Sequence, residues 1–421
     1  MKIVLVTDVF PPASQTSIGS IVKNLAQGFQ IKGHEVLVIT PTTNKKEAGP
    51  NQYQGLNVWL VYTNYPARLM HYLNLYNPLA VRTIRKIFRR FQPDIVHAHT
   101  VHVLLSYAIL KLAKKAKAKV FLTIHDADLF IPAGKFVEFI DRDPAFKAGL
   151  KINQTDNNYQ IFFPELVKRF KKRMIPFRKT IIKYYLKYVD KIFSVSRALA
   201  IAHGQNGIKN IIVIHNGLRL EEWQTSQEAR KKFREKFQLN NKKVVFFGGR
   251  LHPFKGAEQI IKAMALVIKE VPDAILLVAG KKDAYASEMM KLAAGYSLPV
   301  VFADWLLPEE IKVAYGESAV VVTPSIYLDP FPTINLEAMA CGRPVVGTCF
   351  GGTPEVVVDN ETGFIVNPFN LKIMSERIVT LLKNPALAEK MGQAGQQRIK
   401  EEFNLNQQVM ITLAWYKKFL A

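Results

Sequence analysis

The sequence predicts an α/β protein made of two doubly wound domains, each with a mainly parallel sheet. Two observations lead there. Short apolar runs of strand length alternate with amphipathic segments of helical period, the β-α-β order of a doubly wound sheet. The chain's 421 residues exceed the size at which one hydrophobic core keeps growing, and an apolar content of 49% is ample for two cores.

Residues 2–7 (KIVLVT) are an apolar strand that stops at Asp8 and the Pro11-Pro12 pair. An amphipathic segment over 18–31 closes at Gly33, and a second strand covers 35–40. The loop 8–20 therefore falls at the carboxyl end of the first strand, where such sheets bind ligands. Further strands are expected at 56–61, 94–98 and 119–124, with helices over 79–91 and 103–116. Runs at 192–196 and 211–217 close a first domain of residues 1–217, and the charged segment 221–241 leads into a second, 218–403. Its expected strands are 243–247, 274–279, 299–302, 320–323, 344–346 and 364–366. An amphipathic helix over 404–421 ends the sequence.

The net charge of +23 is unevenly placed. Residues 1–217 carry 32 Lys and Arg against 12 Asp and Glu, whereas 218–421 carry 25 against 22. An anionic partner is expected on the first half, and both nucleic acid and an anionic membrane surface satisfy that charge. The stretch 168–191 holds ten cations and one acid, Asp190, with aromatics at helical spacing. It suits either an interfacial membrane contact or a packed helix pair with solvated charges. No run approaches the length needed to span a bilayer, and the first strand begins without a leader-like segment. Two cysteines, Cys341 and Cys349, suggest neither a disulfide framework nor a zinc site. The expectation is a cytoplasmic protein, soluble or peripheral on the cytoplasmic membrane face.

Two stretches carry chemistry. In 248–256 (GGRLHPFKG) a glycine turn follows a strand, Arg250 and Lys255 stand five residues apart, and a helix begins at Ala257. Amides, a positive helix end, a guanidinium fork and an ammonium make a diphosphate cradle. In 322–346 (VTPSIYLDPFPTINLEAMACGRPVV) the carboxylates Asp329 and Glu337 straddle a strand–loop–helix junction with seven residues between them. The N–H groups of Thr333, Ile334 and Asn335 at the helix start suit an anion. The plainer reading is a turn aspartate and a first-turn glutamate favoured by the helix dipole. His125 ends the strand 120–124. Two Asp-x-Asp triplets, 126–128 and 141–143, have the oxygen ligands of a Mg²⁺ or Mn²⁺ site.

The Asp329–Glu337 pair, the phrase 250–256, the strand 93–99 (PDIVHAH) and the strand entering Asn216-Gly217 together resemble the retaining family-4 glycosyltransferases. Those enzymes have the GT-B fold, so the resemblance implies two Rossmann-like domains facing a central cleft, with the helix 404–421 crossing back to the first domain. It implies a reaction moving a hexose from a UDP- or GDP-linked sugar to a hydroxyl of a glycan or lipid-linked glycan. By the same resemblance Arg250, Lys255, Thr333, Ile334 and Asn335 hold the donor phosphates, and Glu337 holds the ribose. Asp329 and His125 serve the sugar, while Lys281, Trp305 and Leu306 lie where relatives hold the base. Thr16 and Ser17 occupy the place of a Gly-Gly pair. The resemblance implies no cofactor and no metal, so both Asp-x-Asp triplets are read as loop residues, and nucleic acid is not an expected partner. The sequence departs from the pattern at Asp329, one methylene shorter than the usual Glu, and at Asp304, more often Gly. Two other classes remain: a disaccharide synthase or phosphorylase on the same fold, and a non-enzymatic nucleotide- or nucleic-acid-binding protein.

Overall fold

The structure, a computed structural model, describes residues 1–14, 16–132, 134–152, 158–171, 175–248 and 251–421. The chain divides into two compact units, neither of them continuous in sequence. Unit 1 comprises Met1–Lys135, Asn158–Gly217 and Leu405–Ala421, and unit 2 comprises Phe136–Asn157 and Leu218–Asn404.

Unit 1 is built on eight strands: β1 (Lys2–Val6), β2 (Glu35–Thr42), β3 (Gly49–Tyr53), β4 (Leu56–Tyr62), β5 (Ile95–Ala98), β6 (Lys119–Ile124), β7 (Lys191–Ser194) and β8 (Ile211–Val213). Their order is β3-β4-β2-β1-β5-β6-β7-β8. All neighbours are parallel except β3 and β4, and β1 sets the register, with Ile3 beside both Val36 and Ile95. A parallel sheet is covered on both faces, which is why β1 reads as an unbroken apolar run rather than an alternation. Strand order reverses at β1, since β2 lies on one side and β5 on the other. The loops leaving β1 and β5 therefore part and leave a crevice between them. Asp8 bridges those two loops, because its carboxylate accepts the N–H groups of Val103, Leu104 and Leu105 at 2.7–2.9 Å.

The helix Ser17–Ile31 covers β1 with Val22, Leu25, Ala26 and Phe29. The helix Leu405–Leu420 packs on it and on β6 through Val409, Leu413 and Tyr416. Tyr416 lies 4.8 Å from the Phe121 ring, and its hydroxyl meets His97 Nδ1 at 2.6 Å.

Unit 2 holds a six-stranded, wholly parallel sheet of β9 (Lys243–Phe247), β10 (Ala274–Val278), β11 (Val300–Phe302), β12 (Val320–Thr323), β13 (Val345–Thr348) and β14 (Gly363–Val366). The order is β11-β10-β9-β12-β13-β14, so the reversal falls between β9 and β12. The chain after β9 enters the helix Ala257–Glu270 through Gly256, whose φ is +78°. A Cβ there would sit 1.9 Å from the Pro324 carbonyl oxygen, so only glycine lets the helix start lie against the loop after β12.

Residues 136–157, assigned to the first domain from sequence, belong instead to unit 2. The reason is packing. Phe139 and Phe146 lie 5.7 and 5.5 Å from the Phe350 ring, and the Leu328 N–H donates to the Phe136 carbonyl at 2.9 Å. Buried Asn367 donates to the carbonyls of Phe146 and Lys151 at 2.9 and 2.8 Å. Among the described residues no helix is long and apolar enough to cross a membrane.

Asn367→Ala leaves both carbonyls without that donor. We expect a loss of about 1–3 kcal/mol, the scale for buried groups left unpaired. In native-state hydrogen exchange it should appear as faster exchange across 144–151 while β9 and β12 remain protected; unchanged exchange in that segment would refute the account.

Candidate functional site

The unit 2 site follows from its topology. Loops leaving β9 and β12 emerge on either side of the strand-order reversal, and the expected phosphate and carboxylate residues lie on those loops. Lys255 Nζ contacts Asp329 Oδ2 at 2.6 Å, and Ser325 Oγ donates to the same oxygen at 2.8 Å. The Asp329 side chain is 4% exposed and that of Lys255 33%. Burial pulls the Lys255 ammonium toward neutrality, but Asp329 and then Tyr327 outweigh it, so its pKa is raised and the charge held. Lys255 also lies 5.3 Å from the Tyr327 ring centre, a cation–π contact. The buried carboxylate thus fixes the partly exposed cation, a coupling that motif spacing does not reveal.

Beyond Asp329 the chain passes Pro332 into the helix Thr333–Ala340. Of the three amides expected to be open, that of Asn335 is not. Its N–H donates to the Pro332 carbonyl at 3.1 Å, because the helix begins with a tight i→i+3 turn. The Asn335 side chain is equally engaged, accepting from Thr323 Oγ1 at 2.9 Å and bonding Thr353 Oγ1 at 3.1 Å. Thr333 and Ile334 keep N–H groups at the helix start. Glu337 is half-buried one turn in, and its Oε2 accepts the Tyr315 hydroxyl at 2.6 Å. Burial raises the Glu337 pKa, with the Tyr315 and Thr333 hydrogen bonds opposing the rise. Tyr315 is buried edge-on against Phe246 at 5.1 Å and Trp223 at 5.9 Å. Sequence reasoning missed Tyr315, Tyr327 and Ser325; only the three-dimensional pairing identifies them.

Arg250 lies outside the described residues. Lys281 and Trp305 are exposed in the loops after β10 and β11, while Leu306 is buried. Asp304 ties those loops together: its carbonyl accepts the Gly280 N–H at 2.9 Å and its side chain the Lys282 N–H at 3.3 Å. Its φ of +61° explains why glycine suits that position.

In unit 1, His125 follows β6 at the carboxyl edge of the sheet and is half-buried. Its Nε2 meets His99 Nδ1 at 3.0 Å, with the rings stacked at 5.3 Å. Burial lowers its pKa to about 4, opposed by Asp126 and reinforced by His102, so the ring is neutral at pH 7. Thr16 is the N-cap of the helix Ser17–Ile31, accepting the Gly19 N–H at 3.2 Å, and Ser17 is the exposed first residue. The Thr16 oxygen is therefore committed to the helix start.

All four Asp-x-Asp carboxylates engage cations of their own unit. Asp126 pairs with His102 at 3.1 Å, and Asp128 with buried Arg178 at 2.6 Å and the Tyr107 hydroxyl at 2.8 Å. Asp141 and Asp143 pair with Lys147 and Lys151 at 2.8 and 3.0 Å. Among the described residues no group of three or more His, Cys, Asp or Glu is placed to hold a metal. Burial would lower the His102 pKa, but Asp126 and Asp128 overcome it and raise it to about 10.

A histidine pKa raised on folding contributes stability that is fully present below about 6.5 and lost as pH climbs toward the folded value. The wild type should therefore exceed His102→Gln in melting temperature by a constant margin near pH 6, and that margin should shrink between pH 7 and 10. A margin independent of pH would show that folding leaves the His102 pKa unshifted, and one that falls below pH 6.5 that the ring is neutral in the fold.

Two family descriptions match successive parts of the sequence: Glycosyltransferase Family 4 over residues 18–222, and Glycosyl transferases group 1 over residues 229–398. Spore coat protein SA of Bacillus subtilis is 30% identical over 200 residues, which cover 46% of this chain and 53% of that protein. The GDP-mannose-dependent alpha-(1-6)-phosphatidylinositol monomannoside mannosyltransferase of Mycolicibacterium smegmatis is 28% identical over 251 residues, 59% of this chain and 60% of that one. The chain spans about half the length of the first curated relatives it matches. The solved structure of HepE from Anabaena, in complex with UDP, matches with a TM-score of 0.71 at 19% identity, covering 98% of this chain and 100% of that one. With two parallel Rossmann-like sheets and family matches that take in residues 18–222 and 229–398, this chain belongs to the family-4 glycosyltransferases and has the GT-B fold.

Proposed function

We propose that the chain transfers a hexose from a UDP- or GDP-linked sugar to a hydroxyl of a glycan or lipid-linked glycan, with retention at the anomeric carbon and without a metal. The observation that carries this reading is the junction after β12. There Lys255, the N–H groups of Thr333 and Ile334, and the Glu337 carboxylate gather at the strand-order reversal of unit 2. Cation and amides suit a diphosphate, and a carboxylate one helical turn on suits the two hydroxyls of a ribose. HepE was solved with UDP, and the mycobacterial relative's name specifies GDP-mannose and phosphatidylinositol monomannoside. These names support the choice of donor and of a lipid-linked acceptor.

In the proposed step the C1–O bond to the diphosphate breaks while the acceptor oxygen bonds C1 on the same face, and the acceptor proton passes to a diphosphate oxygen. Lys255 and the two amides stabilise charge growing on the leaving group, joined by Arg250. Asp329 holds Lys255 and serves the sugar hydroxyls; for neutral His125, on unit 1, a role toward the sugar rests on the family resemblance. Lys281 and Trp305 flank the base. The engagement of every Asp-x-Asp carboxylate with a protein cation supports the metal-free reading. The setting we propose is the cytoplasm, at the inner face of its membrane.

The test is a melting-temperature panel of UDP, GDP, ADP and their sugars, followed by nucleotide release with and without acceptor in EDTA. One nucleoside diphosphate should stabilise the protein by mass action, and acceptor-dependent release should persist in EDTA. Strict Mg²⁺ or Mn²⁺ dependence would overturn the metal-free part; release that needs no acceptor would indicate the synthase or phosphorylase class. Glu337→Gln should weaken nucleotide binding by about 1–3 kcal/mol, the scale of a charged hydrogen bond. Tyr315→Phe keeps the carboxylate but frees it, and should cost about 1 kcal/mol. Calorimetry showing wild-type affinity in Glu337→Gln would make that residue a helix-start acid alone.

A further inference from the structure

The helix Pro78–Phe91 has two unlike faces. Ala80, Val81, Ile84, Ile87 and Phe88 are buried against unit 1. On the other side Arg82, Arg85, Lys86, Arg89 and Arg90 are all exposed, at the i, i+3, i+4, i+7, i+8 spacing of a single stripe. None of the five forms an ion pair or side-chain hydrogen bond among the described residues. Other surface cations of unit 1 do, as with Lys114 on Asp190 at 2.6 Å and Lys2 on Glu35 at 3.8 Å. Three pairs in the stripe, 82/86, 85/89 and 86/90, are like charges at i, i+4, an arrangement that destabilises an isolated helix. A row of cations kept at that cost, none of them paired with an acid among the described residues, is complementary to an external polyanion.

The residues ahead of the stripe say which polyanion. Leu79, three residues before Arg82 and in line with it, is 51% exposed, and Tyr72 and Tyr76 just upstream are 54% and 52% exposed. Aromatic and aliphatic side chains beside cations suit the headgroup–acyl boundary of a bilayer, whereas a phosphodiester backbone calls for cations alone. Two neighbours extend the face. The helix Ala108–Lys115 packs on Pro78–Phe91 and ends in exposed Lys115, and His71 lies 6.5 Å from the Phe170 ring of the helix Phe163–Phe170. That second helix leads into the basic run read from sequence at 168–191. Further along the run Arg178 is buried on Asp128, and Ile182 and Tyr185 are buried too, so that part is packed; Lys172, Arg173 and Met174 lie outside the described residues.

We propose that the Arg82–Arg90 stripe, with Leu79, Tyr72 and Tyr76 at its head, docks unit 1 on an anionic lipid bilayer. The inference rests on the lipid-linked reading of the acceptor for its purpose, not for its test. The test is co-sedimentation of the full chain with vesicles of phosphatidylcholine alone and of phosphatidylcholine mixed with phosphatidylglycerol, at low and moderate salt. Wild type should bind only the anionic vesicles, more weakly as salt rises. Arg85→Gln/Arg89→Gln should reduce that partitioning on the order of fivefold per cation removed. Lys269→Gln/Lys291→Gln, the same charge change on exposed residues of unit 2, should leave it unaltered. Neither variant should melt below the wild type, and Arg85→Gln/Arg89→Gln, which removes like-charge pairs, should melt at or slightly above it. Equal loss in the two variants would make the effect one of net charge, and equal binding to neutral vesicles would remove the electrostatic basis. Either result overturns the proposal, as does tight RNA binding without vesicle binding. The nucleotide panel separates the two readings: no response to any nucleotide, with stripe-dependent vesicle binding intact, would sink the transferase reading and leave this one standing.

Discussion

The reversal of strand order between β9 and β12 is the constraint on which the chemistry of unit 2 depends. Right-handed crossovers carry the chain outward in opposite directions from those two strands, so their loops part and leave room at the sheet edge. Lys255 and Asp329 arrive there from opposite sides, 74 residues apart in sequence. A carboxylate buried to that degree must be paired, and Lys255 and Ser325 do so. The same loop tolerates no bulk: a Cβ on Gly351 would lie 2.0 Å from the Asp329 carbonyl oxygen. Close backbone contact on one side and an ion pair on the other hold the cation where the helix starts converge.

Unit 1 uses the same topology to a different electrostatic end. At its reversal Asp8 is consumed by three backbone N–H groups. The acids Asp126 and Asp128 are matched by His102 and Arg178, and His97, His99 and His125 are held neutral by burial. Charge at the unit 1 edge is thus balanced internally, while its excess stands outside, on the helices. Unit 2 carries little net charge but presents a cation and open amides at its edge. One surface is ready for a small anion and the other for an extended one.

Much of this was legible in the sequence because it is written in local patterns. Every strand but β3 follows from a short apolar run, and the phrase around Lys255 carries its own turn and helix start; β3 is polar (GPNQY) and lies at the sheet edge, so no apolar run announces it. Glu337 was placed one turn into its helix by counting. What was not legible depends on partners distant in sequence. Asn335 looks like a helix-start amide until the turn at Pro332 claims its N–H. Thr16 looks like a phosphate-loop hydroxyl until it is seen capping a helix. Tyr315 bears no motif and gains meaning only 22 residues later, at Glu337. The segment 136–157 sits between strands of unit 1 in sequence, so its packing on Phe350 and its bonds to Leu328 and Asn367 are what reveal where it belongs.

The discontinuity of both units has a consequence for biosynthesis. The core of unit 1 includes Leu405, Val409, Leu413 and Tyr416, and the Tyr416 hydroxyl is the partner of His97 on β5. These side chains emerge from the ribosome after the whole of unit 2. The nascent first unit must therefore wait, with an apolar groove over Phe29 and Phe121 exposed to solvent, while its neighbour is still being made. Unit 2 in turn draws on residues 136–157, which are synthesised before the rest of its chain. Translation order and folding order are thus interleaved, and a chain stopped at residue 217 would lack the side chains that close its own core.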